Sequence, residues 1–432
     1  MTPRDQAMAL LHTFKGDRYV CGSGVLSQAG RMARNLGSRA LVFANDGGWH
    51  AGLTDRLLDS LRRSGVEPVG DRAFPGARPN SPREDVYRME ALILQAKPDL
   101  VVAMGGGSVL DAAKAAAALA ALGLACPSID PLFGAGRVSE FGRQAEARWI
   151  PLLAVQTAAG SAAHLTKYSN ITDPAAGQKK LIIDDAIIPA KALFDFALLA
   201  TASESLLIDG ILDGMAHSLE VFFGCPPDKL EAIRPVALTG IDLLLTHGKA
   251  ALRERSENDL AGIGLGTDLG GYSIMLGGTN GPHLNSFSFV DVTSHGRACG
   301  LLNPYYAVFF AESIENRLRP VGDLLQKAEL IRTPLVNLRG RELGLVVAGG
   351  LMAFNRELGA PTALRELPGF EPLHIRRALD AARDPALKSK LQNMPAPMKP
   401  EDVDSLMGPV LQAAWEGRLD HVPSLPRTAP TN

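Results

Sequence analysis

Residues 99–114 read Asp-Leu-Val-Val-Ala-Met-Gly-Gly-Gly-Ser-Val-Leu-Asp-Ala-Ala-Lys. The apolar run over 99–104, rich in valine, has the pattern of a strand buried on both faces. Gly105-Gly106-Gly107-Ser108 breaks that strand, and residues 109–122 that follow are alanine-rich and strongly helix-forming. Glycines between a strand and a helix let the main chain approach a ligand closely. The helix N-terminus directs free N–H groups and the positive end of its dipole at the same place. A diphosphate fits there, with Ser108 on the phosphate. A plain turn with Ser108 as helix cap fits the same residues.

The alternation continues on both sides. Arg39-Ala40-Leu41-Val42-Phe43-Ala44 reads as a second buried strand, and residues 149–155 as a third. Leucines at 53, 57, 58 and 61 have helical spacing. Strands alternating with helices imply a mostly parallel sheet covered on both faces, with ligands at the carboxyl ends of its strands. Asp46 lies two residues beyond the strand at 39–44. A carboxylate there can accept from both ribose hydroxyls of an adenosine and would repel a 2′-phosphate, which points to NAD over NADP. In Asn45-Asp46-Gly47-Gly48 the same residue reads equally well as part of a turn. Gly22 and Gly24 suggest another turn near the cofactor.

Beyond about residue 185 the texture changes. Long apolar helical runs cover 190–224, 229–245, 258–276, 303–318 and 343–358. The expected architecture is an α/β dinucleotide-binding domain with a parallel sheet over 1–185, then an all-α domain over 186–432. The proline-containing stretch 423–432 is expected to be loosely held.

The 432 residues are 46% hydrophobic and 21% charged, with 44 basic against 46 acidic side chains. That balance, with no basic block, gives no reason to expect a nucleic acid partner. The four cysteines are widely spaced without a CxxC pair, so reduced thiols in a reducing compartment are expected. The short apolar run at residues 8–11 does not make a secretory signal, and no charge-free run of membrane-spanning length is evident. The expected location is the cytoplasm.

Asp213 and His217 are four apart in an expected helix, so both face one side and can address one ion. His283 and His295 follow in a stretch rich in glycine and small polar residues. Three imidazoles and one carboxylate suit Fe(II) or Zn(II); the set is too rich in nitrogen for calcium and lacks the thiolates of a structural zinc site. The competing readings are a helix salt link for the first pair and ordinary loop residues for the other two. Cys299 lies nearby without a signal of its own.

Three stretches together resemble the iron-containing (group III) alcohol dehydrogenase family, which is related to glycerol dehydrogenases and dehydroquinate synthases. They are Gly105 to Lys114, then Leu212-Asp213-Gly214-Met215-Ala216-His217-Ser218-Leu219-Glu220, then His295-Gly296-Arg297-Ala298-Cys299 with Leu301-Leu302-Asn303-Pro304. The resemblance implies a divalent metal held by Asp213, His217, His283 and His295. It also implies NAD on Asp46, Gly105, Gly106, Gly107, Ser108, Asp111, Thr157 and Ser161, and a homodimer. Two departures mark a divergent subfamily. The family pattern has two histidines four apart before the last ligand, whereas Thr279 and His283 hold that spacing here; His283 is read as the third ligand, with a polar catalytic role as the alternative. Thr157-Ala158-Ala159-Gly160-Ser161-Ala162 stands where the family often has Ala-Gly-Thr-Gly-Ser-Glu. His164 and Lys167, just beyond, are candidate catalytic contacts to the substrate, Lys167 reading equally as a surface residue. The implied activity is interconversion of an alcohol and an aldehyde or ketone by hydride transfer with NAD(H). The alternatives are a lyase of the dehydroquinate synthase kind, which needs basic groups around the metal to hold a phosphate, and a noncatalytic interaction protein, which needs no metal.

Overall fold

The computed structural model describes residues 1–45, 52–175 and 177–425. Asp46 therefore lies outside the described residues. Two compact units are present: a sheet unit, Leu11–Ser203, and a helical unit made of Met1–Leu10 with Glu204–Asn432.

Among the described residues, nine strands lie in the sheet unit: β1 (Tyr19–Gly22), β2 (Arg39–Ala44), β3 (Glu67–Phe74), β4 (Leu100–Gly105), β5 (Gly134–Ala135), β6 (Leu152–Gln156), β7 (Tyr168–Asp173), β8 (Gln178–Ile183) and β9 (Lys191–Asp195). Six form one parallel sheet in the order β1-β9-β6-β4-β2-β3. Strands β2, β4 and β6 are apolar apart from Arg39 and Gln156 at their ends, and their alternation divides them between two cores. Leu41, Phe43, Val101, Ala103, Leu152 and Ala154 face one core. Ala40, Val42, Leu100, Val102, Leu153 and Val155 face the other. A strand apolar on both faces has to be covered on both, which forces the layered arrangement.

The helix Gly107–Leu122 covers one face. Its alanines 112, 113, 115 and 116 are fully buried, so the small side chains allow close approach. The stretch Gly107–Ala125 has the length and hydropathy of a membrane span, but 67% of its apolar window is buried inside the molecule. Its two charged residues are used internally. The Lys114 ammonium donates to Thr166 O at 3.0 Å and Tyr168 O at 2.7 Å, and lies 3.7 Å from Asp111 Oδ1. Asp111 Oδ2 accepts from Asn170 N at 3.0 Å. Burial pulls the Lys114 ammonium down to about 8. This buried pair ties the helix to β7, which pairs antiparallel with β8; β8 in turn pairs with β5 in a second, three-stranded sheet.

The expected boundary near 185 and the helical reading of 190–224 meet a different arrangement. Lys191–Asp195 is β9, inserted between β1 and β6, and the two units divide at Ser203. Asp195 is fully buried, and its carboxylate accepts from Gly24 N at 2.8 Å, Leu26 N at 3.0 Å and Ala197 N at 3.1 Å. It thereby fixes the turn that follows β1.

The helical unit is built around the helix Glu204–Gly224. That helix is apolar around most of its circumference and buried along most of its length, as expected of a core helix. It packs against Leu230–Arg253, Glu257–Leu276 and His295–Phe309. The stretch expected as one helix over 303–318 is two, His295–Phe309 and Glu315–Lys327. At Gly296 the chain passes so close to the core helix that an added Cβ would lie 2.0 Å from the main-chain oxygen of Asp209. Gly296→Ala is expected to force the helix His295–Phe309 outward and to destabilise the helical unit by about 1–3 kcal/mol. Denaturant unfolding checks this; a midpoint equal to that of the unsubstituted protein would contradict the close approach.

Candidate functional site

Asp213, His217 and Glu220 lie on the core helix at positions i, i+4 and i+7, one stripe of a 3.6-residue period. His283 comes from the short helix Gly281–Ser286, which has Pro282 in its first turn and is capped by the Asn280 side chain accepting from Gly281 N at 2.7 Å. His295 opens the helix His295–Phe309 behind Ser294. The stripe and these two helix starts converge. The Nε2 atoms of His217, His283 and His295 lie 3.7, 3.6 and 3.7 Å from Asp213 Oδ1. Ligand atoms about 2.0–2.2 Å from one tetrahedral ion would be separated by roughly 3.3–3.6 Å, close to the spacings observed. Asp213 Oδ1 and His283 Nε2 are buried without a hydrogen-bond partner. Such atoms are costly unless something else satisfies them, and a divalent cation fits this donor set.

Hydrogen bonds behind the cluster aim the rings. His283 Nδ1 lies 2.6 Å from Glu220 Oε1, and Glu220 Oε2 accepts from Asn280 N at 2.8 Å. With Nδ1–H donated to a carboxylate, Nε2 presents its lone pair toward Asp213. His295 Nδ1 lies 3.0 Å from Ser286 Oγ, and that hydroxyl donates to His283 O at 2.8 Å. The hydroxyl therefore accepts from His295 Nδ1–H, and His295 Nε2 is left as a ligand atom. The two rings of His217 and His283 stack with centroids 4.7 Å apart. For His283 this arrangement favours the ligand role over the catalytic one.

Cys299, one helical turn after His295, belongs to the same cluster. Asp213, His283, His295 and Cys299 offer ligand atoms all within 4.8 Å of one another. His217 falls outside that foursome, yet it lies as near to Asp213 Oδ1 as His295 does. Two groups thus contend for one coordination position. Burial raises the Cys299 thiol above its ordinary range and keeps it protonated, a poor ligand. Burial pulls the His217 imidazole down to about 4, which keeps it neutral and able to bind a metal. This contrast favours His217. For Asp213, burial acts upward, but the three imidazoles outweigh it and hold the carboxyl far below the usual range. Burial depresses His283, and the Glu220 and Asp213 carboxylates beside it more than reverse that, so its imidazole stands above its ordinary value.

Thr279, where the resemblance expects a further histidine, accepts instead from the Lys390 ammonium. Lys390 is buried, 5.0 Å from the Phe287 ring centroid, and burial lowers it to about 8. Glu220, Ser286 and Lys390 were not assigned as site residues on sequence grounds. Glu220 stands in the quoted metal motif, at a spacing that puts it on the stripe of Asp213 and His217. Nothing in the local sequence marks Ser286 or Lys390.

In the sheet unit, Gly106 is the N-cap of the helix Gly107–Leu122, with extended φ and no side-chain cap bond. Ser108 is therefore not the cap; its hydroxyl accepts from Asn80 N at 3.0 Å. Thr157 N donates to Gly105 O at 3.1 Å, and a Cβ at Gly107 would lie 2.7 Å from Ser161 Oγ. Gly105, Gly106, Gly107, Ser108, Thr157 and Ser161 thus gather where β4 and β6 end. Asp111 does not join them; its carboxylate is turned to Asn170 and Lys114, as described above. His164 is buried, with the rings of Tyr19 and Phe194 at 5.4 and 5.6 Å. Lys167 lies 3.6 Å from Asp185 Oδ1 in a partly exposed ion pair, the surface reading given above.

The family model for iron-containing alcohol dehydrogenase matches residues 16–196. The NAD-dependent methanol dehydrogenase of Bacillus methanolicus is 27% identical over 206 residues, 47% of this chain and 50% of that protein. The chain thus spans about half the length of that relative. The NADPH-dependent butanol dehydrogenase of Clostridium saccharobutylicum is 25% identical over 382 residues, 85% of this chain and 89% of that one. Among solved structures, an alcohol dehydrogenase from Oenococcus oeni has the same fold, with a TM-score of 0.78 at 20% identity over 92% of this chain and 98% of that chain. The chain is thus matched by the iron-containing alcohol dehydrogenase model over most of its sheet unit, and by the fold of an alcohol dehydrogenase over nine-tenths of its length.

Proposed function

We propose that the protein is an oxidoreductase that interconverts a small alcohol and its aldehyde or ketone by hydride transfer with NAD(H), using one Fe(II) or Zn(II) ion. The observation that carries this reading is the convergence of three imidazole Nε2 atoms on one buried carboxylate oxygen, with the tautomers of His283 and His295 set by Glu220 and Ser286. When bound, such an ion acts as a Lewis acid toward a substrate oxygen. Asp213 supplies the anionic donor, and His217, His283 and His295 supply neutral ones. Glu220 accepts the Nδ1 proton of His283 and strengthens its donation. A noncatalytic protein would keep this buried carboxylate and these unsatisfied atoms at a cost in stability and with no return.

The glycine turn of the sheet unit suits a diphosphate, with Gly105, Gly106, Gly107 and Ser108 at the helix N-terminus and Thr157 and Ser161 beside them. The two curated relatives named above differ between NAD and NADPH, so fold likeness does not choose between them. Asp46 is the residue on which the choice of NAD rests. The four cysteines are all free, which suits the cytoplasm. A small-molecule substrate and a homodimer complete the proposal.

A screen of short alcohols and aldehydes, run with Fe(II) and Zn(II) separately, tests the activity. Metal-dependent turnover is expected, and His217→Ala should abolish it while far-UV circular dichroism stays unchanged; full turnover by that variant would refute the metal mechanism. In the same assay NADH should be preferred to NADPH, and the opposite preference would remove Asp46 from its ribose role. Metal affinity should also depend on pH. The metal-free His283 imidazole is raised above its ordinary value, because the Glu220 and Asp213 carboxylates beside it outweigh its burial. Below that raised value the ion has to displace a proton, so affinity should fall about tenfold per pH unit on acidification and level off above it. Calorimetry in buffers of different ionisation enthalpy would detect the released proton, and uptake without release near neutral pH would contradict the assignment.

A further inference from the structure

The helical unit holds a second recess, of about 500 Å³, that involves none of the metal-cluster residues. Cys225, Lys229, Gly277, Gly278, Ser313 and Arg317 are among the residues that line it, and none of its lining residues is acidic. Arg317, from the helix Glu315–Lys327, is 8% exposed. Its Nη1 donates to Phe223 O, while its Nε is buried without an acceptor. Among the described residues no carboxylate pairs with it. Its charged neighbour is instead another cation, Arg234, which adds to the effect of burial in opposing its charge. A guanidinium does not escape burial by losing its proton, and arginine is almost never buried unless paired. The Ser313 hydroxyl is likewise buried without a partner. At the rim, the exposed Lys229 ammonium donates to Leu276 O at 3.5 Å.

We propose that this recess is a binding site for a small oxyanion, a phosphate ester or a carboxylate, whose oxygens take the Arg317 Nε–H, the Ser313 hydroxyl and the Lys229 ammonium. The planar guanidinium matches either group, and a charge-assisted bond made out of water is stronger than a neutral one. The volume is that of a small-molecule site. None of the lining residues belongs to the sheet unit, which carries the glycine turn. It does not depend on the proposed oxidoreductase activity.

Isothermal titration of the full chain with inorganic phosphate and, separately, with malonate tests the site. At least one anion should bind with a dissociation constant of about 1 mM or tighter. Arg317→Lys should weaken that binding at least about tenfold, since it removes the Nε–H and the fork. Lys229→Ala, an exposed substitution that leaves the interior intact, should weaken it about threefold and keeps the test available if the Arg317 variant does not fold. Tighter binding of phosphate would identify a phosphate ester as the ligand, and tighter binding of malonate a carboxylate. No binding of either anion up to about 10 mM would overturn the proposal. So would binding that both substitutions leave unchanged, since the anion would then sit elsewhere.

Discussion

The Asp213 carboxylate, buried among three imidazoles, is the constraint around which the helical unit is organised. A carboxylate in that position is tolerable only when positive or donor groups surround it. Supplying them requires one long helix and the starts of two others to meet at a point. The core helix is apolar around the stripe that carries Asp213, His217 and Glu220, so the polar groups of the stripe are confined to the convergence. Close packing at Gly214, where an added Cβ would lie 2.7 Å from Thr267 Cγ2, brings the helix Glu257–Leu276 against the same segment. The chemistry and the core thus share one piece of backbone.

The sheet unit depends on a different balance. Strands β2, β4 and β6 are apolar on both faces, and the helix Gly107–Leu122 is rich in alanine, so that it can sit close. The two charges in that helix, Asp111 and Lys114, lie 3.7 Å apart, and each is hydrogen-bonded to the main chain of β7. Asp111 lies three positions beyond Ser108 and faces inward, toward Lys114 and Asn170.

Periodicity and local chemistry made much of this readable in advance. Strand β2 spans the six residues expected of it, and the glycine turn lies between β4 and its helix as anticipated. The spacing of Asp213 and His217 placed both on one helical face. What was not readable depended on partners distant in sequence. A short apolar run such as Lys191–Asp195 looks the same whether it ends in a sheet or a helix, and only its neighbours β1 and β6 decide. The same holds for Ser286, which acts through His295, for Lys390, which reaches Thr279 from 111 positions away, and for Arg317, whose isolation becomes visible only when its surroundings are known. The division of the chain at Ser203 follows from the placement of β9, which no change in composition announces.

The i, i+4, i+7 stripe has a consequence for how this stretch can vary. Each residue of an α-helix advances the azimuth by about 100°, so one amino acid inserted between Asp213 and Glu220 would swing the second carboxylate to another side of the rod and leave His283 without its acceptor. Loops of the same chain can lengthen at little cost. Related chains should therefore differ in loop length while keeping the residue count of this segment constant.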